Sequence, residues 1–196
     1  MKKLFYAATL LLGMVLMMGT AKAQDYPKSI VGVSVGLNVS NITSEEMDMD
    51  SKIGFHIAGS YELLLTKNVP FYLETGLQLS QKGGSLMGMS MKAWYAEIPL
   101  MLNYKFALPY ELTVSPAVGA YYGFGLTGQA KGWGEKVDLF DKDDGWNRSD
   151  FGIRAGVTAQ WHKVALGLGY EFGMFDFTDG GEVSMRNFFV SVGIRF

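Results

Sequence analysis

His56 and His162 are the only imidazoles in this 196-residue chain, and it has no cysteine. Thiol chemistry is therefore absent: no thiolate nucleophile, no disulfide framework and no cysteine-based metal site. A hydrolytic relay would need one of the histidines within hydrogen-bond reach of both a hydroxyl and a carboxylate. For His56 the best partners are Ser34, Ser60 and Asp150, while His162 stands in a short turn beside Lys163. No motif ties either ring to a nucleophile, so a merely hydrogen-bonded histidine is the expected state and no catalytic residue is assigned. Met47 and Met49 in EEMDMD, and Met87, Met89 and Met91 in LMGMSM, are soft thioethers of the kind that bind Cu(I). An adaptable apolar contact surface is the better reading of the second group. The run DLFDKDDGWNRSD gathers Asp141, Asp143, Asp144 and Asn147. A calcium loop started at Asp141 would have its glycine at position five rather than six and would lack the closing Glu. A solvated acidic turn with Trp146 at its tip is expected instead. Gly167, Gly169 and Gly173 have the wrong spacing for a nucleotide loop. Neither a metal nor a cofactor is expected.

The remaining chemistry is charge, and strands must position it. In RNFFVSVGIRF, Phe188, Val190, Val192, Ile194 and Phe196 fall on one face, with Asn187, Ser191, Gly193 and Arg195 on the other. A period of two means one apolar wall and one polar wall. Seven further segments alternate in the same way, near the roughly 9–11 residues of a tilted membrane strand. They run 30–40, 52–64, 71–82, 92–105, 111–125, 150–161 and 164–175, with long loops at 41–51, 83–91, 126–149 and 176–185. Parity turns Glu62, Glu74, Glu97, Lys105, Arg154, Glu171 and Arg195 to the polar side. A two-residue hairpin at His162-Lys163 would set Arg154 opposite Glu171 as a buried ion pair. A five-residue turn at 106–110 would set Lys105 opposite Glu111. Glu62, Glu74 and Glu97 then need partners among Arg195, hydroxyls and water. Such charges could form a proton or solute path, but eight strands leave an interior just filled by side chains, so a polar plug is expected.

The ends of the sequence agree with this reading. Lys2 and Lys3 precede an apolar run to Met18 and an Ala21-Lys22-Ala23 cleavage site, which reads as a signal peptide over residues 1–23. Residues 24–196 would form the domain, with 14 basic against 19 acidic side chains once three lysines leave the total of 17. An acidic chain without a basic stripe argues against nucleic acid. A soluble lipocalin-like barrel would show water a surface rich in Lys and Glu, whereas the small face here carries Gly32, Ser34, Gly36, Gly119, Gly152 and Gly156. Bulky aromatics gather near both ends of the strands, as in interfacial girdles. The expected fold is all-β: an eight-stranded antiparallel transmembrane up-and-down β-barrel in the cell outer membrane. Its short turns and both termini would be periplasmic, and its closing strand, ending on Phe196, resembles the assembly signal of bacterial outer-membrane barrels.

Six segments in order resemble one family: GVSVGLNVS, LQLSQKG, EIPLML, DFGIRAG, GYEFG and SVGIRF. They are similar to the PorT-like small outer-membrane β-barrel proteins of Gram-negative bacteria. The resemblance implies outer-membrane lipid around the wall and the barrel assembly machinery as a partner during insertion. It also implies a role by binding, or within a secretion or envelope assembly, with a periplasmic or outer-membrane protein partner. Met87, Met89, Met91 and Trp146 are the candidate loop contacts. The alternatives are a narrow channel or a lipid A-modifying enzyme, since small barrels of similar size include lipid A deacylases and palmitoyl transferases.

Overall fold

The computed structural model describes residues 26–44, 50–86, 89–132, 135–140, 148–174 and 183–196. The expected signal peptide, Met47, Met49, Met87, the side chain of Met89, Trp146 and the Asp141–Asp144 run lie outside the described part. Among the described residues ten strands follow in chain order: β1 (Ser29–Ser44), β2 (Asp50–Leu64), β3 (Phe71–Leu86), β4 (Met89–Tyr104), β5 (Phe106–Leu108), β6 (Leu112–Gly132), β7 (Glu135–Asp138), β8 (Ser149–Trp161), β9 (Val164–Gly173) and β10 (Val183–Arg195). Eight of them form a closed antiparallel ring, β1-β2-β3-β4-β6-β8-β9-β10, which shuts where β10 pairs with β1 from Gly32↔Arg195 to Ser44↔Val183. The seam continues to Phe196, whose amide and carbonyl both bond Val31.

The wall is inverted relative to a water-soluble protein. Leu37 is 60% exposed, while its neighbour Asn38 is wholly buried. Ile57 and Leu77 likewise face out, and Glu62 and Glu97 face in. A continuous apolar exterior of this kind is what hydrocarbon requires, and ring closure leaves no backbone edge unpaired within it. Outward aromatics meet edge-on near both rims, Phe55 with Trp94 at 4.9 Å and Phe71 with Tyr104 at 6.2 Å.

Several strands outrun their expected ends, all on the side of the long loops. β6 extends over 21 residues, about twice a membrane crossing. Its end pairs with β7 from Gln129↔Asp138 to Gly132↔Glu135, so part of the expected 126–149 loop is sheet. Most of the expected 83–91 loop is likewise sheet, because pairing of β3 with β4 continues to Leu86↔Met89. At the other end, the expected five-residue turn is shorter. β5 pairs with β6 from Phe106↔Val114 to Leu108↔Leu112, leaving a three-residue turn at 109–111 in which Tyr110 and Glu111 adopt φ of 63° and 58°.

Candidate functional site in the lumen and its external mouth

Inward side chains form two ionic layers. In the layer nearer the long loops, Arg154 is registered opposite Glu171 and forms an ion pair with it, and its Nη2 also lies 2.9 Å from Glu97. At the centre is Lys82, wholly buried, with Nζ 2.6 Å from Glu97, 2.7 Å from Glu171 and 3.6 Å from Asp150. The ring of Tyr121 lies 4.7 Å below this ammonium, and its hydroxyl donates to Asp150. Gln78 donates to Glu97 at 2.9 Å, while Asn187 donates to Glu171 at 2.9 Å. Sequence reasoning missed Lys82 as a member of this layer. It shares parity with Glu74, Gln78 and Ser80 on β3, so continuing the alternation one step would have found it.

The second layer lies towards the short turns. Glu62 is held by Arg195 at 2.5 Å and by Lys105 at 2.7 Å. Glu74 accepts from Asn103 at 2.5 Å and faces Arg195 at 3.7 Å. Glu111 belongs to neither layer, which corrects its expected pairing with Lys105. The shorter turn carries Glu111 outside the barrel, where its carboxylate meets His162 at 2.5 Å and both side chains are largely exposed. Between the layers is a cavity of about 110 Å³ bordered by Ser34, Ser60, Gln78, Glu74, Arg154 and Arg195. It has room for several waters.

Bulky rings fill the rest of the tube. Tyr72, Tyr95 and Tyr121 are almost fully buried in the lumen, and Phe189 points inward against Arg154 at 5.4 Å. The glycine-lined face is the seat for these rings. A Cβ on Gly169 would come within 2.5 Å of Phe189, and one on Gly152 within 2.8 Å of Tyr121. His56 places Nδ1 2.8 Å from Asn38 Oδ1, and its ring lies edge-on to Phe189 at 6.0 Å. Asp150, an expected partner for a relay, is instead engaged by Tyr121 and Lys82.

Above the upper layer, the mouth is closed by an apolar stopper. Leu139 and Phe140 follow β7, turn inward and pack with Ile42, Ala93, Tyr95 and Met185. Met91, expected as an external contact, packs against this cluster from β4. Tyr95 and Phe140 meet edge-on at 6.2 Å, and Arg148 Nη2 donates to the Phe140 carbonyl at 2.5 Å. Gly125 lies directly against the Phe140 ring, leaving no space for a Cβ.

A family model described as "Outer membrane protein beta-barrel domain" matches residues 8–196. Among solved structures, the chain is similar to Ail, the attachment invasion locus protein of Yersinia pestis, with 15% identity, a TM-score of 0.53, and coverage of 87% of this chain and 100% of that one. Ail in complex with the heparin analogue sucrose octasulfate matches at the same identity and coverage, with a TM-score of 0.50. Neisserial surface protein A (NspA) matches at 15% identity and a TM-score of 0.56, covering 85% of this chain and 97% of that one. A major outer membrane protein from Thermus thermophilus matches at 14% identity and a TM-score of 0.52, with 86% and 99% covered. At these identities the likeness is one of fold. No curated protein matches the sequence.

Proposed function

The chain belongs to the outer membrane protein β-barrel domain family, and from that premise we propose that it is a non-catalytic binding barrel. In this reading its partner is a protein of the envelope or cell exterior, met by the sheet that rises above the membrane and by the periplasmic turns. One observation carries the proposal: the lumen is crossed by two ion-paired layers, with a small cavity between them, and capped by Leu139 and Phe140. A tube filled in this way serves as a scaffold for what it displays. Ail, named for attachment, supplies a precedent for a small barrel of this fold acting by contact. His56, engaged with Asn38, supports the non-catalytic part. Within the same proposal, residues 1–23 direct export, the assembly machinery recognises the closing strand at Phe196, and the PorT-like marks point to a secretion or envelope assembly.

Crosslinking in intact cells tests this, with photoreactive residues placed in β7 or in the turns at 109–111 and 162–163. Capture of one discrete partner supports the proposal, and capture of nothing specific from either side removes it. The cavity between the ionic layers favours a second reading, a narrow conduit. That reading predicts reproducible conductance steps in planar bilayers that change in Arg154→Ala.

A further inference from the structure

Three lysines meet on the outer wall, away from the lumen. Ser90 on β4 faces outward, since its neighbour Met91 packs inside. Its cross-strand partner on β3 is Ser85, and on β6 it is Lys131. Lys92 lies two positions along β4 on the same face, opposite Gly83 and Gln129. Lys52 comes from β2, within the register shift between Ser51 and His56, and its Nζ contacts Ser90 Oγ. Bulges re-aim side chains in this way. Cross-strand Cβ atoms are about 4.5–5.5 Å apart, so Lys131 and Ser85 flank Ser90 on either side, and Lys92 stands two positions along the same face beside Gly83. Lys92 and Lys131 are the charged groups that act most on Lys52, and none of the three lysines has a carboxylate ion pair among the described residues.

Depth identifies the occupant. Lys92 is two residues outward of Trp94, and Lys52 three outward of Phe55, the pair that marks the outer aromatic girdle. Lys131, opposite Ser90, is four residues outward of Trp94, so at about 3.3 Å per residue the cations sit about 7–13 Å along the strand beyond it, level with lipid headgroups. Asp50, registered opposite Ser85, is the described carboxylate in this row and makes no ion pair with the three lysines, and like charges left unpaired in this way repel one another unless an anion joins them. We propose that Lys52, Lys92 and Lys131, with the Ser85 and Ser90 hydroxyls, form a site for the phosphate of a phosphorylated glycolipid in the outer leaflet. Ammonium donors and hydroxyls suit a phosphate's several acceptor oxygens. This site is on the wall and does not depend on the protein partner proposed above.

The test is binding of diphosphoryl lipid A, and of the same lipid with its phosphates removed, to the delipidated full-length barrel in neutral detergent micelles. The expected result is at least a tenfold preference for the phosphorylated form. That preference should disappear in the combined Lys52→Gln, Lys92→Gln and Lys131→Gln variant and persist in the corresponding triple arginine variant. If the glutamine triple fails to fold, the single Lys131→Gln variant is expected to lose about threefold. Equal binding of the two lipids, or an unchanged preference in the folded glutamine variant, overturns the site. Displacement of the lipid by millimolar inorganic phosphate would show a free-anion site and overturn the lipid assignment. Neither result would bear on the crosslinking outcome.

Discussion

Replacing Lys82 with methionine is the most severe single test of the lumen. The substitution keeps most of the volume and removes the charge. The upper layer then holds Glu97, Glu171 and Asp150 against Arg154 alone. At 2.6 and 2.7 Å, and at an effective dielectric near 20, each of the two closest attractions to Lys82 is worth about 6 kcal/mol before desolvation. Desolvation of the ammonium offsets most of that, and truncating one partner of a buried pair typically costs about 3–5 kcal/mol. With a urea dependence of about 2 kcal/mol per molar, the unfolding midpoint should fall by roughly 1.5–2.5 M. Urea titration of the refolded barrel in micelles measures this, with the folded fraction read from migration of unheated samples on a gel. Adding Glu171→Gln should restore at least half of the loss, since it removes one of the stranded carboxylates. If Lys82→Met stays within about 1 kcal/mol of the parent, the account of the layer as an obligatory charge assembly is wrong.

Three further outcomes follow from neighbouring features. Glu111→Gln removes an exposed pair with His162 and should change stability by less than about 1 kcal/mol, whereas Lys105→Met strips Glu62 of a largely buried partner and should cost visibly more in the same titration. Gly125→Val drives a side chain into the Phe140 ring, so limited proteolysis should cut within 126–149 at least several-fold faster while the strands below stay protected. Phe140→Ala should do the same without a clash, by removing the stopper's largest side chain.

The wall was legible in the sequence because a period of two has only one physical solution when both faces extend through eight segments. Arg154 opposite Glu171 was legible for the same reason, as a two-residue hairpin fixes register by counting. The turn at 109–111 was not, since Tyr110 and Glu111 take left-handed backbone conformations usually left to Gly, Asn or Asp. That one miscount displaced Glu111 from the lumen and left Lys105 to find Glu62 across the barrel. The extensions of β6 and β7 carry Gly, Thr, Gln and Lys, and above the membrane the wall no longer needs an apolar face, so alternation fades while hydrogen bonding continues. Tyr95 and Tyr121 were hidden by a different ambiguity. Aromatics suit both a lipid girdle and a lumen, and the parity they share with Glu97 on β4 and Ser115 on β6, together with Gly125 and Gly152 opposite them, tells which.

The two ionic layers also differ in when they can form. Arg154 and Glu171 lie on one hairpin, 17 positions apart, and can pair as soon as it does. Arg195 and Glu62 are 133 positions apart and lie on the strands on either side of β1, so their pair forms only once β10 has closed the ring. Interactions made after the rate-limiting step slow unfolding and leave folding nearly unchanged. Arg195→Gln should therefore speed unfolding by about the full change in stability, whereas Glu171→Gln should also slow folding. Single-mixing kinetics in micelles separates the two limbs. A slower folding limb in Arg195→Gln would mean that the seam closes before the hairpins are complete, which would reverse the order inferred from sequence separation.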